Sequence, residues 1–524
     1  MRGLVHGLAA GMVLGCALGA FEGWVAPSLA GETRADRILG LMLLDGAVSS
    51  LVGGLVGAAL TRRRPVRLPR LATWASVVLV GLGLSLALGT ARDGLALLGP
   101  ENERIRALGE PPASIEPGGR AVVLVSLDTV RADALEHMPH LQARAGQGLE
   151  FVNARSPSSW TLPAMASVHT GLPYPDHGAA QASQLGGQPA RTGLHRERAA
   201  LAEELKERDF STAAVTTNPF NGMRYGLDRG FDHSWELSRD SLRRHALRRA
   251  LFFRLLLPPL QDRGARVSDR AEQVLSAWSG GQYFLWLHYL DAHAPYSSDP
   301  SGFDAFGPCE LPDCFDDWSG VRRGTTVLDE ADRERVRGLY RSDLGYLDAQ
   351  LERVLRGLDL ERTLVIITAD HGEGFWEGPS IEHGGTFREP EVAVPLVVLA
   401  PGLAPARIER PVDTTAVFDA MLSWVDGDGL GPLAPDGAPM TTAMGSLLFG
   451  QGSACTDGRF KLVFGSATPV LYDLNSDPEE TRDVSAFHPE AVDALSACAR
   501  RGLGGGEPGP ALDARALHTM GYED

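Results

Sequence analysis

The chain has 524 residues, more than one ordinary domain holds and enough for two or three units. Its composition is near the globular norm, so it can bury a sizeable core. A net charge of -17 excludes the basic footprint that nucleic-acid binding needs; acidity of this kind favours solubility and says little about fold.

Three long apolar stretches come first, Leu4–Ala26, Ile38–Leu60 and Leu71–Ala91, each about the length that crosses a bilayer's hydrocarbon core. Arg62, Arg63, Arg64, Arg67 and Arg70 crowd the connection between the second and third, which the positive-inside rule places in the cytoplasm. Counting outward, the N-terminus lies inside and everything after Ala91 outside: a multi-pass cell-membrane protein with an extracytoplasmic domain. Two alternatives, a cleaved signal peptide over the first stretch or a lipoprotein cleavage site at Val13-Leu14-Gly15-Cys16, leave the large domain on the same side. Glu22 and Asp45 fall toward the outer ends of their spans, where headgroups and water are near. The expected layout is a transmembrane region over 1–95, a Pro- and Gly-containing linker over 96–119, a catalytic domain over 120–450 and a smaller C-terminal subdomain over 451–524.

After the linker, short β-branched or aromatic runs alternate with charge-rich helical stretches, the pattern of an α/β domain with a largely parallel mixed sheet flanked by helices. Strands are expected over 121–127, 211–217, 283–290, 363–369 and 394–400, and helices over 201–208 and 329–358. From about Arg459 the pattern becomes a strand pair, a turn and a final helix, an α+β subdomain. The five cysteines show no Cys-x-x-Cys spacing; Cys309 with Cys314 and Cys455 with Cys498 are the pairs an oxidising compartment would permit.

Four of these strands stop at polar residues: Asp128, Asn218, Asp291 with His293, and Asp370 with His371. Ligands of open α/β sheets bind beyond the carboxyl ends of the strands, so these residues are expected around one crevice. In SWTLPAMASVHTG (159–171), Thr161 precedes Pro163 and a helical run. That position fits an ordinary helix cap and also favours anion binding. A hydroxyl there, beside a metal held by Asp128, Asp370 and His371, would be an activated nucleophile.

LVSLDTVRAD (124–133), SWTLPAMASVHTG, FLWLHYLDAHAPY (284–296), ITADHGEGF (367–375) and IEHGGTFREPEVAVPLVV (381–398) occur in the order seen in sulfatases. GMRYGLDRGFD (222–232), RFKLVFGSATPVLYDLNSDPEE (459–480) and ALDARALHTMGY (511–522) extend the likeness, so that residues 120–524 resemble that family, of alkaline-phosphatase-like fold. The resemblance implies that Asp128, Thr161, Asp370 and His371 bind a metal, that Thr161 is the nucleophile, and that His293 and His383 line the pocket for the ester's charged oxygens. Asn218 and Asp291 are the further substrate-binding candidates. His293 alternatively only hydrogen-bonds a turn, and His383 alternatively only supports residues nearer the ion.

The departures point away from ordinary sulfatases. Those carry Cys or Ser within Cys/Ser-x-Pro-x-Arg and convert it to formylglycine, whereas here the run is Thr161-Leu162-Pro163-Ala164-Met165. Thr129 stands where many have a second metal-binding Asp, and His371 where they have Asn. This set resembles the phosphoglycerol transferases and phosphodiesterases of the superfamily, which use threonine directly. No Asp-x-x-x-His spacing surrounds Asp291, so one divalent ion is expected, zinc or manganese because imidazole is a ligand, with calcium or magnesium as alternatives. The expected activity is hydrolysis or transfer of phosphate or sulfate esters, phosphoryl chemistry preferred, on envelope or extracellular substrates including membrane lipid. The rivals are a sulfuric ester hydrolase and a non-catalytic envelope-binding protein.

Overall fold

The computed structural model describes residues 115, 119–502 and 511–512, apart from 186–187, 223–224, 238–262, 295, 297, 300–319, 322–323, 379–380, 446, 448–451 and 466–467. The three apolar stretches, the arginine cluster, Cys16, Cys309 and Cys314 lie outside the described residues. Among the described residues, no helix is long and apolar enough to cross a membrane.

The main sheet is built from β1 (Ala121–Leu127), β2 (Leu149–Phe151), β3 (Ser211–Thr216), β4 (His233–Glu236), β5 (Tyr283–Tyr289), β6 (Thr363–Ala369), β7 (Leu396–Leu399) and β8 (Ala406–Ile408). Their spatial order is β8-β2-β7-β6-β1-β5-β3-β4. β1, β3, β4, β5 and β6 are mutually parallel, while β7 runs against both β6 and β2. β1, β5 and β6 are buried along their whole length, as parallel strands covered on both faces must be, which explains their near-continuous apolar runs. Two groups of helices supply the covers. α1 (Pro139–Ala145), α4 (Arg263–Ala277) and α5 (Glu330–Arg356) pack together, as do α2 (Thr161–Thr170), α3 (Leu201–Lys206) and α6 (Ala416–Asp426).

The expected strands and helices are all present, with ends trimmed by one to two residues in several cases. Asp329, placed at the start of the long helix, caps α5 by accepting from Asp332 N at 2.9 Å. α2 ends where Gly171 takes φ +67°, a conformation other residues rarely adopt.

The C-terminal subdomain is larger than a strand pair. β9 (Thr442–Gly445), β10 (Ser453–Thr456), β11 (Phe460–Phe464) and β12 (Val470–Asp473) form an antiparallel sheet in that order, so it begins ahead of residue 451. α7 (Pro489–Arg501) packs on it, and Leu462, Leu471, Leu495 and Ala499 form the shared core. A disulfide joins Cys455 on β10 to Cys498 on α7. At the far end, Ala511–Leu512 pairs with the ribbon strand Gln188–Thr192.

Candidate active site

The parallel register brings the strand ends level. Leu127 faces Tyr289 on one side and Ala369 on the other, so Asp128 and Asp370 leave the sheet side by side. The ladder runs one step further, with Asp128 N donating to Tyr289 O at 2.8 Å and Asp370 N to Leu127 O at 3.3 Å. Thr129 then turns the chain at φ +59°, which lets its amide donate to Asp370 Oδ1 at 3.3 Å. Its own hydroxyl donates back to Asp128 O at 2.7 Å, so Thr129 serves the turn.

Thr161 opens α2, is 1% exposed, and lies where the first-turn amides leave the helix end. Asn218 caps a short turn through Oδ1, which accepts from Phe220 N at 2.9 Å. Its Nδ2 donates to Asp128 Oδ2 at 2.6 Å and to Thr161 Oγ1 at 3.1 Å, tying the hydroxyl to the carboxylate. The Thr161 hydroxyl also lies 3.3 Å from His371 Nε2.

His371 Nδ1 donates to Gly372 O at 2.9 Å, which fixes the tautomer and leaves a lone pair on Nε2. That lone pair lies 3.7 Å from Asp128 Oδ1 and 3.5 Å from Asp370 Oδ2. Among the described residues, neither of these buried oxygens has a hydrogen-bond partner. Buried acceptors facing one another without a donor are costly unless a cation lies among them. Burial, and then the charge of Asp128, drive the Asp370 carboxyl well above the usual range. Asp128 is held below it: burial opposes this but is outweighed by the His288 hydrogen bond and by His293, His288 and His371. Burial lowers His371, favouring the neutral imidazole that metals bind. A divalent cation fits this donor set. Asp128, His288 and Asp370 likewise offer ligand atoms within 4.8 Å of one another, all buried.

Alongside runs a row of imidazoles. The rings of His371 and His383 are 4.3 Å apart, and those of His383 and His293 5.0 Å. His383 Nδ1 lies 2.9 Å from Glu373 Oε1, and Tyr296 donates to Glu373 Oε2 at 3.0 Å. Burial, reinforced by Glu382, pushes Glu373 well above the usual carboxylate range. His293 Nδ1 donates to Ala294 O at 2.6 Å, the turn contact weighed above, and burial lowers its pKa. Asp291 is drawn to another element, its Oδ1 accepting from Gly264 N in the first turn of α4 at 2.8 Å.

His288, Glu373 and Tyr296 are absent from the sequence expectations. Glu373 and Tyr296 sit inside recognised motifs but away from their metal or nucleophile positions. His288 lies within an apolar strand, where its one signal is a polar residue in a run otherwise aromatic and aliphatic.

A family model for sulfatases matches residues 120–427, more than half of the chain. The chain belongs to the sulfatase family. It is a sulfatase-family hydrolase of the alkaline phosphatase superfamily, a family whose enzymes use a metal ion. Arylsulfatase K of Xenopus laevis is 22% identical over 468 residues, 76% of this chain and 84% of the relative. Arylsulfatase K of Gallus gallus is 26% identical over 195 residues, 31% of this chain; the match spans only 36% of that relative's length. Among solved structures, the phosphonate monoester hydrolases of Agrobacterium radiobacter and Silicibacter pomeroyi superpose with TM-scores of 0.56 and 0.55. Each is 19% identical and aligned over 73% of this chain and 94% of its own, a likeness of fold.

Proposed function

We propose that this sulfatase-family member is a membrane-anchored, metal-dependent ester hydrolase or group transferase with Thr161 as nucleophile, acting by phosphoryl chemistry on envelope or extracellular substrates. The observation that carries this is the Thr161 hydroxyl, buried at the start of α2 and held between Asn218 Nδ2 and the bare Nε2 of His371. Formylglycine chemistry has no starting residue here, since threonine occupies the position and Met165 replaces the arginine of the maturation motif.

Asp128, Asp370, His371 and Thr161 Oγ1 would hold one divalent ion, zinc or manganese by the presence of imidazole, which would supply Lewis-acid charge to the hydroxyl and the ester oxygens. The chain's own groups do the remainder. Asn218 donates to the threonine oxygen, favouring the alkoxide over the alcohol and fixing its direction. The first-turn amides of α2 and the helix dipole attract the ester's negative oxygens. His383, hydrogen-bonded to Glu373, protonates the departing oxygen, while His293, its Nδ1 hydrogen committed to Ala294 O, lines the pocket. Water or an acceptor alcohol then releases the group from Thr161.

Membrane anchoring is supported by the arginine cluster between apolar stretches, and placement outside the cytoplasm by the Cys455–Cys498 disulfide. The activity named for the phosphonate monoester hydrolases supports phosphoryl chemistry. A second reading, a sulfuric ester hydrolase, is favoured by the arylsulfatase K relatives.

The test is turnover of matched aryl phosphate, phosphonate and sulfate esters by the wild type, Thr161→Ala and Thr161→Ser. Phosphate or phosphonate should outrun sulfate; Thr161→Ala should lose on the order of a million-fold, as nucleophile deletions do, while Thr161→Ser keeps some activity. Faster sulfate turnover turns the assignment to the second reading. Wild-type rates in Thr161→Ala sink the nucleophile.

A further inference from the structure

Two histidines approach the paired carboxylates, and their hydrogen bonds give them opposite polarity. His371 spends its ring proton on Gly372 O and turns a bare nitrogen to the centre. His288 is set the other way by a chain reaching back into the sheet. β1 and β5 pair Ser126 with His288 in register, both fully buried. Trp286 Nε1, which can only donate, gives its proton to Ser126 Oγ at 2.9 Å. Ser126 then has one proton of its own to place. His288 Nδ1 lies 2.8 Å away, whereas the competing acceptor, Leu287 O, lies at 3.4 Å. The shorter and better bond gives Nδ1 the proton from Ser126, which leaves the ring's own hydrogen on Nε2. That nitrogen faces Asp128 Oδ2 at 3.0 Å, a carboxylate oxygen that also accepts from Asn218. The alternative tautomer would set two lone pairs against each other at this distance inside a dry core.

We infer that His288, although close enough to both carboxylates to ligate an ion, is a positioning residue: its Nε2–H donates to Asp128 Oδ2 and so reserves Oδ1 for the cation. The inference rests on the metal-site reading above and refines its ligand set. Asp128 Oδ2 is saturated by His288 and Asn218, whereas Oδ1 is the oxygen without a partner among the described residues, on the side of Asp370 Oδ2 and His371 Nε2. His371 is then the imidazole ligand, and Trp286-Ser126-His288 is a relay whose output is the orientation and charge of one carboxylate. Hydrogen bonds from behind a ligand fix its direction and tune its basicity.

The full chain loaded with one equivalent of Cu2+ tests this, because pulsed electron paramagnetic resonance detects the remote nitrogen of a coordinated imidazole. The signal should persist in His288→Gln and vanish in His371→Ala. Mn2+ titration supplies the positioning readout. His288→Gln places an amide N–H near the position of Nε2 and should bind within a few-fold of wild type, whereas His288→Leu should bind about 10–100-fold more weakly at unchanged stoichiometry. Ser126→Ala, a smaller change, should weaken binding in the same direction, and covers the case in which His288→Leu does not fold. Loss of the imidazole signal in His288→Gln, or its survival in His371→Ala, overturns the assignment. A wild type that takes up neither Cu2+ nor Mn2+ overturns the metal site itself, and is told apart by failing before any variant is compared.

Discussion

The outer oxygens of Asp128 and Asp370 have donors, but their facing oxygens repel one another in a dry pocket unless a cation lies between them, so stability and metal binding should respond in opposite directions to the same substitution. Asp370→Asn keeps an oxygen for the amides of Thr129 and His371 and replaces the bare Oδ2 with an N–H donor. The metal-free protein should melt higher than the wild type in chelator, by on the order of 1 kcal/mol, because a buried acceptor gains a donor. Uptake of Mn2+ should be abolished. A lower melting point in chelator would mean that the carboxylates are not in conflict. At this scale the sequence was informative wherever a residue stood at a strand end, because the fold itself collects such positions: Asp128, Asn218, Asp370 and His371 converge as expected. It was silent where chemistry depends on a neighbour across the sheet. His288 acquires its partners from the register of β1 against β5, which no local pattern encodes. Asp291 shows the reverse, a strand-end acid that accepts from the first turn of the preceding helix, α4.

At the scale of elements, the C-terminal subdomain is fastened to the catalytic sheet's loops by a buried cation. Lys461 of β11 is fully buried, and its Nζ lies 2.7 Å from Phe387 O, 2.8 Å from Glu389 Oε1 and 2.7 Å from Glu480 Oε1. Arg155 meets Glu389 from the other side at 2.6 Å. Burial raises Glu389, but Lys461 and Arg155 outweigh it and bring its pKa down to about 2. A carboxyl depressed in the folded state stabilises above its ordinary value, 4.5, and loses that contribution as pH falls through about 2. Lys461→Met strips the cation from Glu480 and leaves Glu389 to Arg155 alone, and should cost about 3–5 kcal/mol near neutral pH. Denaturant melts should show that deficit shrinking toward pH 3; a deficit independent of pH would leave packing as the cause. The disulfide acts on the same unit. It closes a 43-residue separation, so Cys498→Ser should lower stability by about 2–4 kcal/mol, measured by non-reducing melts against the wild type. The strand pair and final helix were legible from turns and apolar spacing. β9 and β10 were not: both are short and rich in small residues, and gain strand character from pairing, β10 with β11 and β9 with β10.

For the molecule as a whole, a topology reporter fused after residue 100 should be active only if it works outside the cytoplasm; a cytoplasmic signal would remove the three-span arrangement. The α/β class and the parallel sheet followed from alternating strand and helix patterns, but the reversed strand β7 did not, since a fully buried apolar run looks the same in either direction. The strand order has a consequence for how the protein is made. β1 is complete at Leu127, yet its neighbours begin at Tyr283 and Thr363. An emerging chain therefore carries a strand apolar but for Ser126, with both edges unpaired while its first partner is still unsynthesised, the state in which strands associate wrongly. It also carries no working centre, because Asp370 and His371 arrive after most of the chain has been made. Synthesis should thus depend on helpers that shield β1, and a nascent or truncated product ending short of His371 should be inert toward esters, however well its earlier segments have folded.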